Sequence, residues 1–133
     1  MTLPVTAFVA AICALMLLIT AIDTVRQRIR LSAPFGDKDD QKLISASRSH
    51  GNLAEHAPIV ILLLAVLELS NAHHMTLMGI GALFLAARVA HIIGIYLPMS
   101  KEPPLPRTIG VMVTWLVILV LSGWTLWMLA TGN

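Results

Sequence analysis

The sequence predicts an all-α integral membrane protein, and three observations carry that prediction. Of its 133 residues, 57% are apolar and 12% are charged, about half the charged fraction of a soluble domain. The mean hydropathy is +0.83. Four apolar segments are each long enough to cross a hydrocarbon core about 30 Å thick, since a helix rises about 1.5 Å per residue. This composition excludes a disordered chain, a nucleic-acid-binding domain and an ordinary cytosolic enzyme.

The four apolar segments predict one four-span domain over residues 1–133. In chain order, the predicted spans are approximately residues 3–25, 42–69, 75–97 and 107–130. No Lys or Arg precedes the first span, and it is longer than the apolar part of a secretion signal, so we interpret it as a membrane helix. The second span is polar in its first half and apolar in its second half.

The distribution of basic residues predicts the orientation of the spans. Every Lys and Arg outside the spans lies in the first or third loop. By the positive-inside rule these two loops are cytoplasmic, and both termini lie on the opposite side of the membrane. Arg26, Arg28 and Arg30, which we place in the first loop, are interpreted as topology determinants that contact anionic headgroups. Glu68, near the opposite interface, is expected to extend towards the headgroups there.

Polar residues inside the second span are the first candidates for a functional site. Ionisable groups in a membrane are costly and require a physical reason. Arg48, Asn52 and Glu55 stand at i, i+4 and i+7, so a helix places them on one face. The alternative is a polar clasp between helices that binds no ligand.

A second group of candidates lies on the third and fourth spans. Arg88 and His91 stand at i and i+3, and Arg107 begins the fourth span. Because the second and fourth spans begin at the cytoplasmic side and the third ends there, we expect polar groups from three helices to meet at one depth. The alternatives are a salt bridge from Arg88 to Glu55, a structural role for His91, and an arginine at position 107 that reaches to the headgroups.

The candidate residues predict the chemistry of a ligand. Arginines offer forked donors to carboxylates, Glu55 accepts from an ammonium group, and Asn52 both donates to and accepts from amides. Glutathione, a thiol peptide with two carboxylates and one ammonium group, fits these donors and acceptors. Arg107 at a helix start, where the backbone dipole is positive, would favour a thiolate over a thiol whose usual pKa is about 8.5. An apolar electrophile would reach that thiolate from the lipid.

The histidines near Glu55 and the single cysteine do not indicate a further site. His50 and His56 lie near Glu55, but their faces diverge and no further cluster of metal ligands is visible, so we predict no metal. Cys13 is the chain's one cysteine and lies in an apolar run, which is typical of a small apolar core residue.

The order of these residues resembles a known family. The segment Arg48-Ser-His-Gly-Asn52-Leu-Ala-Glu55 has the pattern R-x-x-x-N-x-x-E, and it resembles the MAPEG family, the membrane-associated proteins in eicosanoid and glutathione metabolism. The segments Ala87-Arg88-Val-Ala-His91 and Pro103-Pro104-Leu-Pro106-Arg107 look like that family too. The resemblance covers nearly the whole chain.

The resemblance implies a fold, an assembly and a site. It implies a four-helix membrane bundle assembled as a homotrimer, with glutathione bound between neighbouring subunits at the cytosolic side. It implies that Arg107 is the catalytic residue that stabilises the thiolate. The glutathione-binding residues that it implies are Arg48, Asn52, Glu55, His56, Arg88, His91, Tyr96 and Arg30. His56 stands where members often have a tyrosine, and Tyr96 is the only tyrosine of the chain, which argues against leukotriene synthesis.

The resemblance and the residues together predict a membrane-bound glutathione transferase, with reduction of lipid hydroperoxides as a related activity. Its predicted partners are glutathione as co-substrate, a lipophilic electrophile and membrane lipids, with no nucleic acid. The likeness to small bacterial members implies the bacterial inner membrane. The alternative is a non-catalytic MAPEG-like protein that binds lipid or a partner protein in the same cleft. A third interpretation is a small membrane subunit whose polar cluster is only structural.

Overall fold

Each of the four apolar segments forms one long helix. The computed structural model describes residues 2–98 and 102–132. In chain order its helices are α1 (Pro4–Leu31), α2 (Gln41–Leu69), α3 (His74–Tyr96) and α4 (Leu105–Thr131). All four are long and apolar enough to cross a membrane, and no strand occurs in the described residues. The prediction of an all-α, four-helix membrane fold is confirmed.

Helices α1 and α2 are longer than the hydrocarbon core requires. They contain 28 and 29 residues, and a helix of that length spans roughly 43 Å, against about 30 Å of hydrocarbon. The extra length of α1 carries Arg26, Arg28 and Arg30, so these arginines lie on a helix and not in the first loop as predicted. The helix continues past residue 25 because arginine and glutamine are good helix formers and no proline intervenes before Pro34.

Apolar side chains fill the space between the four helices. Val9, Leu64, Phe84 and Leu121 are each at most 1% exposed, and Cys13 lies in the same core. Large apolar side chains also cover the outer surface of the bundle, including Leu15, Ile19, Leu119 and Leu129. Such a surface suits lipid as the surrounding solvent, because hydrocarbon does not penalise exposed apolar groups.

Glu68 fixes the beginning of α1 to the end of α2. Its two carboxylate oxygens accept hydrogen bonds from the backbone N–H groups of Val5 and Thr6, at 2.9 and 2.8 Å, and from the Thr6 hydroxyl at 2.7 Å. A helix leaves its first N–H groups unpaired, and a carboxylate satisfies both the donors and the positive end of the dipole. The expectation that Glu68 extends to the headgroups is therefore wrong, because the N-terminus of α1 offers it closer donors.

Helices α3 and α4 approach each other closely at two glycines. A Cβ atom added at Gly94 would lie 2.3 Å from the backbone nitrogen of Arg107, and one added at Gly110 would lie 2.6 Å from the carbonyl oxygen of Ala87. Both distances are far below van der Waals contact. The two glycines therefore allow the backbones to meet, and Gly94 determines where the first turn of α4 lies against α3.

We predict that Gly94→Ala lowers the melting temperature of the detergent-purified protein. The added methyl group meets rigid backbone, and overpacking of this kind costs about 1–3 kcal/mol. Gly123→Ala is the matched control on α4, since nothing lies within 4 Å of its added Cβ atom and alanine gains up to about 1 kcal/mol in helix propensity. A Gly94→Ala protein as stable as Gly123→Ala would contradict the close contact.

Candidate functional site

Helices α2, α3 and α4 and the first loop surround a cavity of about 750 Å³ that opens to the surface. The lining residues are Ile44, Ser47, Arg48, Gly51, Asn52 and Glu55 from α2, His91 and Ile95 from α3, Arg107 and Val111 from α4, and Arg28, Gly36 and Asp37 from the end of α1 and the first loop. The α2 positions are mostly three or four residues apart and form one stripe. The structure thus brings together Arg48, Asn52, Glu55, His91 and Arg107.

The cavity is rich in charge and has a positive balance. Three arginines line it, at positions 28, 48 and 107, against two carboxylates, at positions 37 and 55. Arg48 and Glu55 are exposed, and neither forms an ion pair with another residue of the described chain. Both side chains are therefore open to a ligand that carries more negative than positive charge.

Arg88 lies behind the cavity and holds Asn52 in one orientation. Its guanidinium is 1% exposed. One nitrogen, Nη1, donates to Oδ1 of Asn52 at 2.7 Å, and the other, Nη2, donates to the carbonyl oxygen of Gly110 at 2.9 Å. Because a guanidinium has no acceptor, the Asn52 oxygen must face Arg88. The amide NH₂ of Asn52 is thus left to donate into the cavity.

The position of Arg88 differs from both sequence interpretations of it. It does not line the cavity, and it pairs with Asn52 and not with Glu55. The reason is its place on α3, where it is covered by α2 and α4 and lies beside the ring of Phe84, 6.0 Å from the ring centroid. Its Nε atom has no hydrogen-bond partner in the described residues.

His91 connects α3 to the first turn of α4. Its ring is 3% exposed, and its Nδ1 atom lies 3.1 Å from the carbonyl oxygen of Arg107. The carbonyl can only accept, so Nδ1 carries the proton and Nε2 is the acceptor in the neutral ring. This hydrogen bond and the contact at Gly94 together fix the backbone of Arg107 at the edge of the cavity.

Two predicted ligand residues, Tyr96 and His56, lie outside the cavity lining. The Tyr96 hydroxyl donates to the carboxylate of Asp23, and both residues line a separate groove of about 440 Å³ between α1 and α3. Tyr96 follows Ile95, which does line the cavity, and one residue turns a helix by about 100°. The ring of His56 contacts the backbone carbonyl of Asn52 at 2.8 Å, within its own helix.

Arg30, another predicted ligand residue, also lies outside the cavity lining. It forms an ion pair with Asp40, the residue whose carboxylate caps α2 by accepting from the N–H of Leu43 at 3.0 Å. This N–H, together with the Arg30 guanidinium, holds the pKa of the Asp40 carboxyl below its ordinary value. The Asp40 carboxylate therefore stabilises the fold at any pH above the pKa that this carboxyl has in the unfolded chain. That stabilisation is lost as the pH falls through the lower pKa that the carboxyl has in the folded protein.

Arg28 and Asp37 line the cavity although the sequence did not single them out as ligand residues. Arg28 lies two residues before Arg30, about 200° away around the helix, so the two arginines face nearly opposite sides. Because arginines occupy alternate positions at the end of α1, the sequence could have indicated that only the arginines on one face of this helix reach a site. No sequence pattern indicates Asp37, because its position depends on how the first loop folds back.

Comparison with known proteins identifies the family. A sequence model of the MAPEG family matches residues 6–127. This chain belongs to the MAPEG family. The inner membrane protein YecN of Escherichia coli strain K12 is 32% identical over 123 residues, which are 92% of this chain and 91% of YecN. YecN of Escherichia coli O6:H1 gives the same values, and no solved structure matches. The chain is thus an integral membrane protein of the MAPEG family.

We predict that Asn52→Ala destabilises this MAPEG protein more than Glu55→Gln. Loss of the amide leaves Nη1 of Arg88 buried without its acceptor, which costs about 1–3 kcal/mol. Glu55 is exposed, and its replacement by glutamine should change stability by less than about 0.5 kcal/mol. Thermal unfolding in detergent without ligand provides the measurement. A larger loss for Glu55→Gln would mean that Glu55, and not Asn52, supports the bundle.

Proposed function

We propose that this protein is a membrane-bound glutathione transferase. The observation that carries the proposal is the meeting of Arg48, Asn52, Glu55 and Arg107 around one cavity of about 750 Å³. That volume lies within the range of small-molecule sites. The family is consistent with this activity, since its name and known members connect it to glutathione metabolism.

Glutathione complements the charge of the cavity. Its two carboxylates match the arginines at positions 28 and 48, and its ammonium group matches one of the two cavity carboxylates. The NH₂ group of Asn52, oriented by Arg88, is a donor for a peptide carbonyl of the ligand. In this proposal Arg88 positions the side chain of Asn52, whereas the resemblance implies that Arg88 contacts glutathione directly.

Arg107 supplies the positive charge next to the sulfur. It lies in the first turn of α4, at the positive end of the helix dipole, which adds to its field. The positive environment favours ionisation of the thiol, whose proton leaves to solvent. The thiolate then attacks an electrophilic carbon and forms a C–S bond, while the leaving group departs with the bonding electrons. With a lipid hydroperoxide, two glutathione molecules instead yield the disulfide, an alcohol and water.

The membrane arrangement is part of the proposal. Apolar Ile44, Ile95 and Val111 line the cavity beside the charged residues, so one site accommodates a polar thiol and a lipophilic electrophile. We place the first and third loops in the cytoplasm and both termini on the other side, from the distribution of Lys and Arg. The similarity to YecN supports the bacterial inner membrane. We propose the homotrimer implied by the family, in which a neighbouring subunit borders the open side of the cavity.

We predict that the detergent-purified protein binds glutathione and that the double variant Arg48→Ala, Glu55→Gln binds it at least tenfold more weakly. Each lost charged contact costs about 1.5–3 kcal/mol, and about 1.4 kcal/mol corresponds to tenfold. Isothermal titration calorimetry measures both dissociation constants. Lys42→Ala is the control, because Lys42 is an exposed cation on α2 that lies outside the cavity lining.

Wild-type protein that does not bind glutathione at millimolar concentration would remove the transferase proposal. In that case the non-catalytic alternative, binding of lipid or a partner protein, would take its place, and the fold would be unaffected. Equal weakening by Lys42→Ala would indicate a general electrostatic effect and no defined site.

We predict that Arg107→Ala lowers the turnover of glutathione with an aromatic halide electrophile by about 100-fold, since removal of one group that stabilises a developing anion has an effect of that order. The pKa of the bound thiol should rise, so the rate should reach its plateau at higher pH than in the wild type. Ultraviolet absorbance of the thiolate and a pH–rate profile measure both effects.

Arg107→Lys is the matched variant for this experiment, because it keeps the charge but loses the forked donor. It should keep a low thiol pKa and part of the activity. If Arg107→Ala retains the wild-type rate and pH profile, another residue ionises the thiol.

A further inference from the structure

The groove between α1 and α3 lies outside the proposed glutathione site. Its volume is about 440 Å³, and it shares no described lining residue with the cavity that α2, α3 and α4 surround. We propose that this groove is a binding site for one phospholipid of the surrounding bilayer. The phosphate of the lipid binds Arg26, and an acyl chain lies against the apolar walls.

The walls of the groove are apolar and belong to the outer surface of the bundle. Ile19 and Ile22 contribute to them from α1, and Ile92 contributes from α3. Ile19 is 67% exposed and Ile22 is 52% exposed, and both lie on a helix that is long and apolar enough to cross the membrane. Because the solvent around such a helix is hydrocarbon, an acyl chain suits a concave apolar surface at this place.

Most polar residues that line the groove use their polar atoms within the protein. The Thr20 hydroxyl donates to the carbonyl oxygen of Met16 at 2.9 Å. Asp23 accepts through Oδ1 from Nε2 of Gln27 at 3.1 Å, and through Oδ2 from the Tyr96 hydroxyl. The bond between Asp23 and Tyr96 joins α1 to α3 at the polar end of the groove.

Arg26 is the polar residue of the groove whose donors remain for a ligand. It lines the groove and is exposed, and it forms no hydrogen bond or ion pair with the residues that the structure describes. The neighbouring arginines have other places, since Arg28 lines the cavity and Arg30 pairs with Asp40. A guanidinium binds two oxygens of a phosphate with parallel hydrogen bonds.

The depth of Arg26 in the membrane also matches a phosphate. Helix α1 begins at Pro4, and its first charged residue is Asp23. The stretch between these two residues is roughly 29 Å long, close to the thickness of the hydrocarbon core, about 30 Å. Arg26 follows about one turn later, so it lies at the level of the headgroups. Ile19 and Ile22 precede Asp23 and lie at the level of the acyl chains.

An available cation beside an apolar groove favours an amphiphile as the ligand. A soluble anion would contact Arg26 but leave the isoleucine walls uncovered. An apolar face of a second copy would cover the walls but leave the guanidinium without an anion. A phospholipid provides both groups in one molecule, at the depths where the groove needs them.

Native mass spectrometry of the detergent-purified protein tests the site, with dioleoylphosphatidylglycerol as the probe. The wild type should bind one lipid per chain more tightly than any further lipid. Arg26→Gln should weaken this first binding step about tenfold, the effect of one charged hydrogen bond. Lys42→Gln is the matched control, because it removes another exposed cation that lies outside the groove lining. Dioleoylglycerol, which has the chains without the phosphate, should bind the wild type about tenfold more weakly than the phospholipid.

The apolar half of the site is tested by Ile22→Trp. The larger ring occupies the groove and excludes the acyl chain, which should weaken the first binding step about tenfold, the effect of one lost apolar side-chain contact. Because Ile22 is half exposed, the ring need not disturb the core. Leu18→Trp is the control on the same helix, since Leu18 is 56% exposed and lies outside the groove lining.

The variants separate this site from lipid that only surrounds the bundle. Unchanged lipid binding in Arg26→Gln, or equal weakening in Lys42→Gln, would overturn the proposal. Weakening in Leu18→Trp as large as in Ile22→Trp would overturn it as well. A wild type that binds no lipid tightly, with an oligomer that dissociates in Ile22→Trp, would mean that a second copy covers the groove. The lipid is measured without glutathione, so failure of the proposed transferase function would leave this inference standing.

Discussion

The buried guanidinium of Arg88 joins three of the four helices, and the cavity depends on it. From α3 it reaches Asn52 on α2 and the backbone of Gly110 on α4. A charged group within a membrane bundle is costly unless its donors are used, so these two acceptors restrict how α2 and α4 can lie against α3. The relative positions of the cavity-lining stripes on α2 and α4 follow from that restriction.

Close backbone contact between α3 and α4 completes the geometry. Gly94 and Gly110 leave room for the facing helix, and the His91 ring bonds to the carbonyl oxygen of Arg107. These contacts act on the backbone of Arg107, whose side chain lines the cavity.

Polar contacts join the helices at the two ends of the bundle and at the level of Arg88. At one end Glu68 joins the start of α1 to the end of α2. At the other end Arg28 and Asp40 fold the first loop against α1 and α2. Between these levels apolar side chains fill the interior. The cavity lies at the end of the bundle that carries the first loop, where the proposed thiol and lipophilic electrophile would meet.

Sequence alone determined the four helices, the membrane class, the family and the stripe of Arg48, Asn52 and Glu55. These features depend on local composition and on the period of a helix, both of which are properties of the chain itself. It also indicated correctly that polar groups of three helices would converge, since chain topology places the helix ends. Only the tertiary structure decided that Arg28 lines the cavity while Arg30 pairs with Asp40, that Arg88 holds Asn52 from behind, and that Tyr96 faces another groove. Those outcomes depend on the rotation of each helix about its own axis and on the path of a loop, and both are set by packing between segments distant in sequence.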